Sequence, residues 1–184
     1  INDTNNTLGL EEDISNYEIE SSDEEIAVIN NLGNIIGKHH GKVVFKTINK
    51  KTGAKKNITV NITKTLNASF IKQTGVETIS KENETCILRE KEETSCSVSL
   101  PDFTTIDGYT KVGWNIDNKS HTGTNTNLDI SEDTRIYTIT KKNKIVLTAE
   151  FKKGLVGINS IGSNNLSCTI EAVYNDEIQK TECN

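Results

Sequence analysis

Four cysteines and three histidines carry most of the reactive chemistry that this 184-residue chain offers. The cysteines fall as two close pairs, Cys86 with Cys96 and Cys168 with Cys183. A zinc site wants roughly two to four residues between paired ligands, so separations of 10 and 15 with no histidine nearby suit oxidation better than metal binding. No metal site is expected. His39 and His40 are adjacent between Gly37 and Gly41, which reads as a surface turn, and His121 stands alone. Nucleophilic catalysis needs a base held beside its nucleophile, and nothing in the spacing supplies that pair. There is no glycine loop to cradle a phosphate and no cofactor motif, so neither an enzyme nor a catalytic residue is expected. Trp114 lies close to Tyr109 and could offer a sugar platform. In a chain with 5 % aromatics the two read better as core anchors.

Lysine is the remaining candidate. All 21 basic residues lie at Lys38 or later, and the first 37 residues carry nine carboxylates and no cation. From Lys38 to Val76 the balance reverses, with nine lysines and no acid. Lys38, Lys42, Lys46, Lys50, Lys51, Lys55 and Lys56 form the candidate contact for an anionic ligand or partner. A charge run is usually a solvated face, and the alternative is pairing between the acidic and basic segments, within one chain or between neighbours. The net charge of −5 argues against a nucleic-acid partner. No apolar run reaches the roughly 18 residues that cross a bilayer, so no membrane insertion is expected within this segment. The chain has no methionine, and Ile1 reads as a processed or cut end.

These residues sit on a chain whose hydrophobic period is two. In Asn57-Ile58-Thr59-Val60-Asn61-Ile62-Thr63 the aliphatic residues share one face and the polar ones the other, as a half-buried strand requires. The same alternation recurs in Cys96, Val98, Leu100 and in Ile145, Leu147, Ala149, Phe151, with turns at Asn31-Leu32-Gly33-Asn34 and Asp107-Gly108. No stretch carries a helical stripe. The fold class is all-β, and 33 % hydrophobic residues fit small modules better than one large core.

Ile19-Glu20-Ser21-Ser22-Asp23, Ile26-Ala27-Val28-Ile29, Leu32-Gly33-Asn34-Ile35-Ile36-Gly37, Gly41-Lys42-Val43-Val44-Phe45 and Ile58-Thr59-Val60-Asn61-Ile62 follow an order that resembles the bacterial immunoglobulin-like group 2 module. The resemblance implies a small Ig-like sandwich over residues 1-66, incomplete because residues 1-13 are too polar to supply opening strands. Leu100-Pro101, Gly108-Tyr109-Thr110-Lys111-Val112-Gly113-Trp114-Asn115, Ile130-Ser131-Glu132, Ile136-Tyr137 and Leu147-Thr148-Ala149-Glu150-Phe151 resemble the Listeria-Bacteroides repeat of internalin-type surface proteins. That likeness implies a β-grasp-like module over residues 67-151.

An internal repeat accompanies them. Ala68-Ser69-Phe70, Gly75, Val76, Ile79, Asn83 and Cys86 reappear as Ala149-Glu150-Phe151, Gly157, Ile158, Ile161, Asn165 and Cys168, so residues 152-184 read as the start of a second copy. Four cysteines allow three pairings, and their matched places in the copies favour Cys86–Cys96 and Cys168–Cys183. Disulfides imply an oxidising, extracytoplasmic setting. Both resemblances imply a secreted bacterial cell-surface protein, non-enzymatic and structural, forming a stalk or fibre with neighbouring copies or modules of itself, by strand exchange between subunits in one version. The alternative is an adhesin that binds a host protein or an anionic glycan.

Overall fold

The computed structural model describes residues 7–150 and 167–173. Its strands in chain order are β1 (Tyr17–Ser21), β2 (Ala27–Ile29), β3 (Ile35–Gly37), β4 (Gly41–Asn49), β5 (Lys55–Ile62), β6 (Lys64–Ile71), β7 (Val76–Ile79), β8 (Asn83–Leu88), β9 (Cys96–Val98), β10 (Phe103–Thr105), β11 (Tyr109–Asn115), β12 (Leu128–Ile130), β13 (Thr134–Lys142), β14 (Lys144–Glu150) and β15 (Ser167–Val173). The one helical element among the described residues is a short 3-10 turn, Ile14–Asn16, whose start is capped by the Asp13 carboxylate accepting from the Ser15 amide at 2.8 Å. The fold is all-β.

Among the described residues, those of Ile1–Ser69, Asn83–Leu100 and Thr126–Arg135 form one compact unit. In it β4 lies between β1 and β5, antiparallel to both. Alternation decides which face goes inside: Val43, Phe45 and Thr47 are buried, while Lys42 and Lys46 on the opposite face are exposed. Ala27 of β2 and Ile62 of β5 join Val43 and Phe45 in one core, with Leu8 and Ile26 buried beside them. The polar opening segment therefore does contribute an apolar anchor, Leu8, and Thr7 bridges to Asn34. β5 keeps the expected alternation, with Ile58, Val60 and Ile62 covered and Asn57, Thr59 and Asn61 exposed.

Two tight turns hold the hairpins of this unit. Asn30 closes β2 to β3, its side-chain oxygen accepting from the Leu32 and Asn34 amides at 3.0 and 2.9 Å. Asn49 closes β4 to β5 in the same way, accepting from Lys51 and Thr52. Further along, β6 pairs antiparallel with β8, and β9 pairs antiparallel with β12.

The second unit gathers the described residues of Phe70–Glu82, Pro101–Asn125 and Ile136–Asn184. β7 pairs with β10, β11 with β13, and β14 with β15, all antiparallel. The Gly-Tyr-x-x-x-Gly-Trp string has a backbone reason. Gly113 sits at a break in the β11–β13 register with φ of 147°, and a side chain there would meet the Thr124 carbonyl oxygen at 2.6 Å. Gly75 has φ of 85° and lies under the Tyr109 ring, where a Cβ would sit 2.3 Å from a ring carbon.

In each of the two stretches that read as repeats, the leading strand pairs antiparallel with the cysteine-bearing strand. The strand carrying Ala68-Ser69-Phe70 pairs with the strand carrying Cys86, and the strand carrying Ala149-Glu150 pairs with the strand carrying Cys168. The registers differ: Leu66 stands opposite Cys86 in the first, Ala149 opposite Cys168 in the second. The remainder of the second copy, Cys183 included, lies outside the described residues.

Candidate functional site

Three features bear on function: a charged sheet face, a cross-linked loop and an aromatic core. The face is the outer side of the β1–β4–β5 sheet. Cα register places Glu18, Ile48 and Lys55 in one row across the strands, and Glu20, Lys46 and Asn57 in the next. Lys42 and Lys46 point outward on β4, and Lys46 stands 4.0 Å from the Glu20 carboxylate with both side chains largely exposed. Such a pair contributes little to stability, about 0–1 kcal/mol. Lys51 reaches Glu12 at 3.3 Å, and Lys50 donates to the Ser15 carbonyl oxygen at 2.9 Å. Acidic and basic segments thus meet within this unit.

The candidate lysines do not form one patch. Lys42, Lys46 and Lys55 share the outer face, whereas Lys56 stands in the inner row with Ile19 and Thr47. Lys50 and Lys51 lie at the β4–β5 turn, and Lys38 precedes β4. Beside the sheet is a cleft of about 800 Å³ with Ile19, Val28, Ile29 and Phe45 among its apolar walls and Glu12, Asp13 and Glu24 among its polar ones. Hydrogen bonds from Ser15 hold the Asp13 carboxyl below its ordinary pKa.

Cys86 of β8 and Cys96 of β9 are joined, Cα to Cα 6.0 Å, and the loop they close reaches three residues, Asp23, Glu25 and His40. Lys91 makes 2.8 Å ion pairs with both Asp23 and Glu25. The Asp23 carboxyl is held below its ordinary pKa first by its hydrogen bond from Lys91, and the Lys91 ammonium is held above its own by Asp23 and then Glu25. His40 is buried and its Nε2 donates to the Glu93 carbonyl oxygen at 2.8 Å, while His39 stacks on its ring at 4.2 Å between centroids. The histidine pair therefore does not make a simple surface turn. His40 is the socket into which the loop docks.

Glu93 shapes the loop from inside, its carboxylate accepting from the Arg89 and Glu90 amides, which lower its pKa. Cys168 lies on β15. Its pairing with Cys183 lies outside the described residues.

Trp114 is 1 % exposed, with Phe70 and Phe103 both edge-on to it at 5.3 Å between ring centroids. Its indole N–H donates to the Pro101 carbonyl oxygen at 2.9 Å. Tyr109, the other expected core anchor, is half-buried and lies over Gly75. Lys111 covers the outer side of Phe103, its ammonium 4.6 Å from the ring centroid and paired with Asp102.

Among the described residues no three His, Cys, Asp or Glu side chains gather as a metal site would need, and no helix is long and apolar enough to cross a membrane. No family model, no curated protein and no solved structure matches this chain.

Proposed function

We propose that the chain is a non-enzymatic structural segment of a modular bacterial cell-surface protein and serves in a stalk or fibre. The observation that carries this reading is the Cys86–Cys96 cross-link in an all-β chain, because a structural disulfide belongs to an oxidising compartment. The residues that resemble the Ig-like and Listeria-Bacteroides modules support it, and so does the use of Trp114 as core. A buried indole offers no stacking face to a sugar. Its test is made on cells: brief protease treatment of intact cells, followed by peptide mapping without reduction, should release fragments that contain the Cys86–Cys96 link. A protein found only inside the cytoplasm with free thiols would overturn the reading.

The second reading is an adhesin module. It draws on Lys42, Lys46 and Lys55 sharing one exposed sheet face. Binding to a heparin column that is lost at about 1 M salt, where the Debye length is about 3 Å, would favour it. A spacer passes such a column unretarded.

A further inference from the structure

The β1–β4–β5 sheet has two open edges of opposite charge, and we propose that the β5 edge of one chain takes the β1 edge of a second copy, extending the sheet head to tail. This rests on the reading of the chain as part of a fibre and names the contact that would build it. Among the described residues β1 and β5 each have a single hydrogen-bonded neighbour, β4. Alternate main-chain donors and acceptors on their far sides are therefore offered to another strand.

Charge selects which strand that is. β1 presents Glu18 and Glu20, while β5 opens with Lys55 and Lys56 and carries no further charge to Ile62. Lysines on an edge strand commonly keep other strands away. Here they would repel a second β5, but the carboxylates of a β1 edge neutralise them. The guard then acts as a selector.

Register makes the fit concrete. Since β1 and β5 both run antiparallel to β4, they run parallel to each other, and a copy displaced across the sheet brings its β1 alongside β5 in parallel pairing. Lys55 already shares a row with Glu18 of its own chain, two strands away. The added copy continues that row and sets its own Glu18 directly beside Lys55. Glu20 and Lys46 show that the spacing between neighbouring strands of this sheet suits an acid–base pair. The contact uses different surfaces on the two partners, so it leaves one acidic and one basic edge open and repeats.

The test is reciprocal charge exchange on the full chain. Sedimentation equilibrium of the wild type should show mass rising with concentration and falling back at about 1 M salt. The doubly substituted E18K/E20K and K55E/K56E chains should each stay monomeric, and their equimolar mixture should assemble, because every contact again joins opposite charges. Hydrogen exchange on assembled wild type should show new protection in Tyr17–Ser21 and Lys55–Ile62. A wild type that remains monomeric at about 1 mM overturns the inference. Assembly that survives either double substitution, or protection confined to other strands, overturns it as well. These outcomes leave the surface-stalk reading standing, since that one is decided by where the protein lies on cells.

Discussion

Truncation of Trp114 gives the sharpest check on the aromatic core. The ring is 1 % exposed and its loss leaves a cavity that a β-sheet core closes poorly, so Trp114→Ala should cost about 3–5 kcal/mol. The structure divides that figure. Each edge-on contact, with Phe70 and with Phe103, is worth about 0.5–1.5 kcal/mol beyond area burial. The indole N–H also satisfies the Pro101 carbonyl, and a buried acceptor left alone costs about 1–3 kcal/mol. Trp114→Phe keeps an aromatic ring but loses that bond, so it should fall between wild type and alanine. A double-mutant cycle of Trp114→Ala with Phe103→Ala should return a coupling of about 0.5–1.5 kcal/mol. Urea unfolding followed by far-ultraviolet circular dichroism reads all three, since the Trp114 variants lack the only tryptophan. A loss under about 1 kcal/mol for Trp114→Ala would refute the core role, and zero coupling would refute the packing with Phe103.

Replacing Cys86 and Cys96 by serine should lower stability by about 2–3 kcal/mol in urea titrations, the chain-entropy value for a loop of this length. Gly75→Ala forces a side chain into the Tyr109 ring at positive φ, and should cost at least about 1–2 kcal/mol by the same measurement. The Lys91 pairing predicts a pH dependence with a definite sign. Asp23 has a folded pKa below its ordinary 3.8, so its contribution is complete above that value and is lost as pH falls through the folded one. Lys91 is shifted upward, and its contribution is lost only as pH rises through its raised value. The difference in urea midpoint between wild type and Lys91→Met should therefore hold steady near neutral pH and shrink as pH falls below about 4. A constant difference would remove the pairing as its cause.

How far the sequence speaks differs from feature to feature, and the reason is range. Strand β5 is legible because Ile58, Val60 and Ile62 alternate with Asn57, Thr59 and Asn61, a local pattern that needs no knowledge of the rest of the chain. The turns at Asn30 and Asn49 follow equally local chemistry, a side-chain oxygen reaching amides two to four residues on. Burial of Trp114 can be expected from its size, but Phe70 and Phe103 lie 44 and 11 residues before it, and no periodicity links them. The docking of Lys91 on Asp23 and Glu25, and of His40 on Glu93, spans 68, 66 and 53 residues. Such contacts are created by chain topology, and the types of the residues give no sign of them in advance.

Charge segregation along the chain has a different consequence once strands are laid side by side. A sequence acidic in its first 37 residues and basic from Lys38 to Val76 would neutralise itself if the two segments simply paired. They do so only in part, because β4 takes the central position and supplies lysines to one side of the sheet while β5 carries Lys55 and Lys56 to the far edge. β1 brings Glu18 and Glu20 to the opposite edge. With strands about 4.8 Å apart, two intervals separate those edges by roughly 10 Å, which is about one Debye length at 0.1 M salt. Across that distance the charges of one chain screen out rather than cancel. A sheet with an acidic side and a basic side is what remains, and its polarity follows from strand order rather than from net charge. Exchanging the charges of both edges in the same chain, E18K/E20K with K55E/K56E, would preserve that polarity in reverse. Head-to-tail assembly should survive the fourfold exchange although either half of it abolishes assembly, and its loss would show that side-chain shape at the edges, not charge, decides the contact.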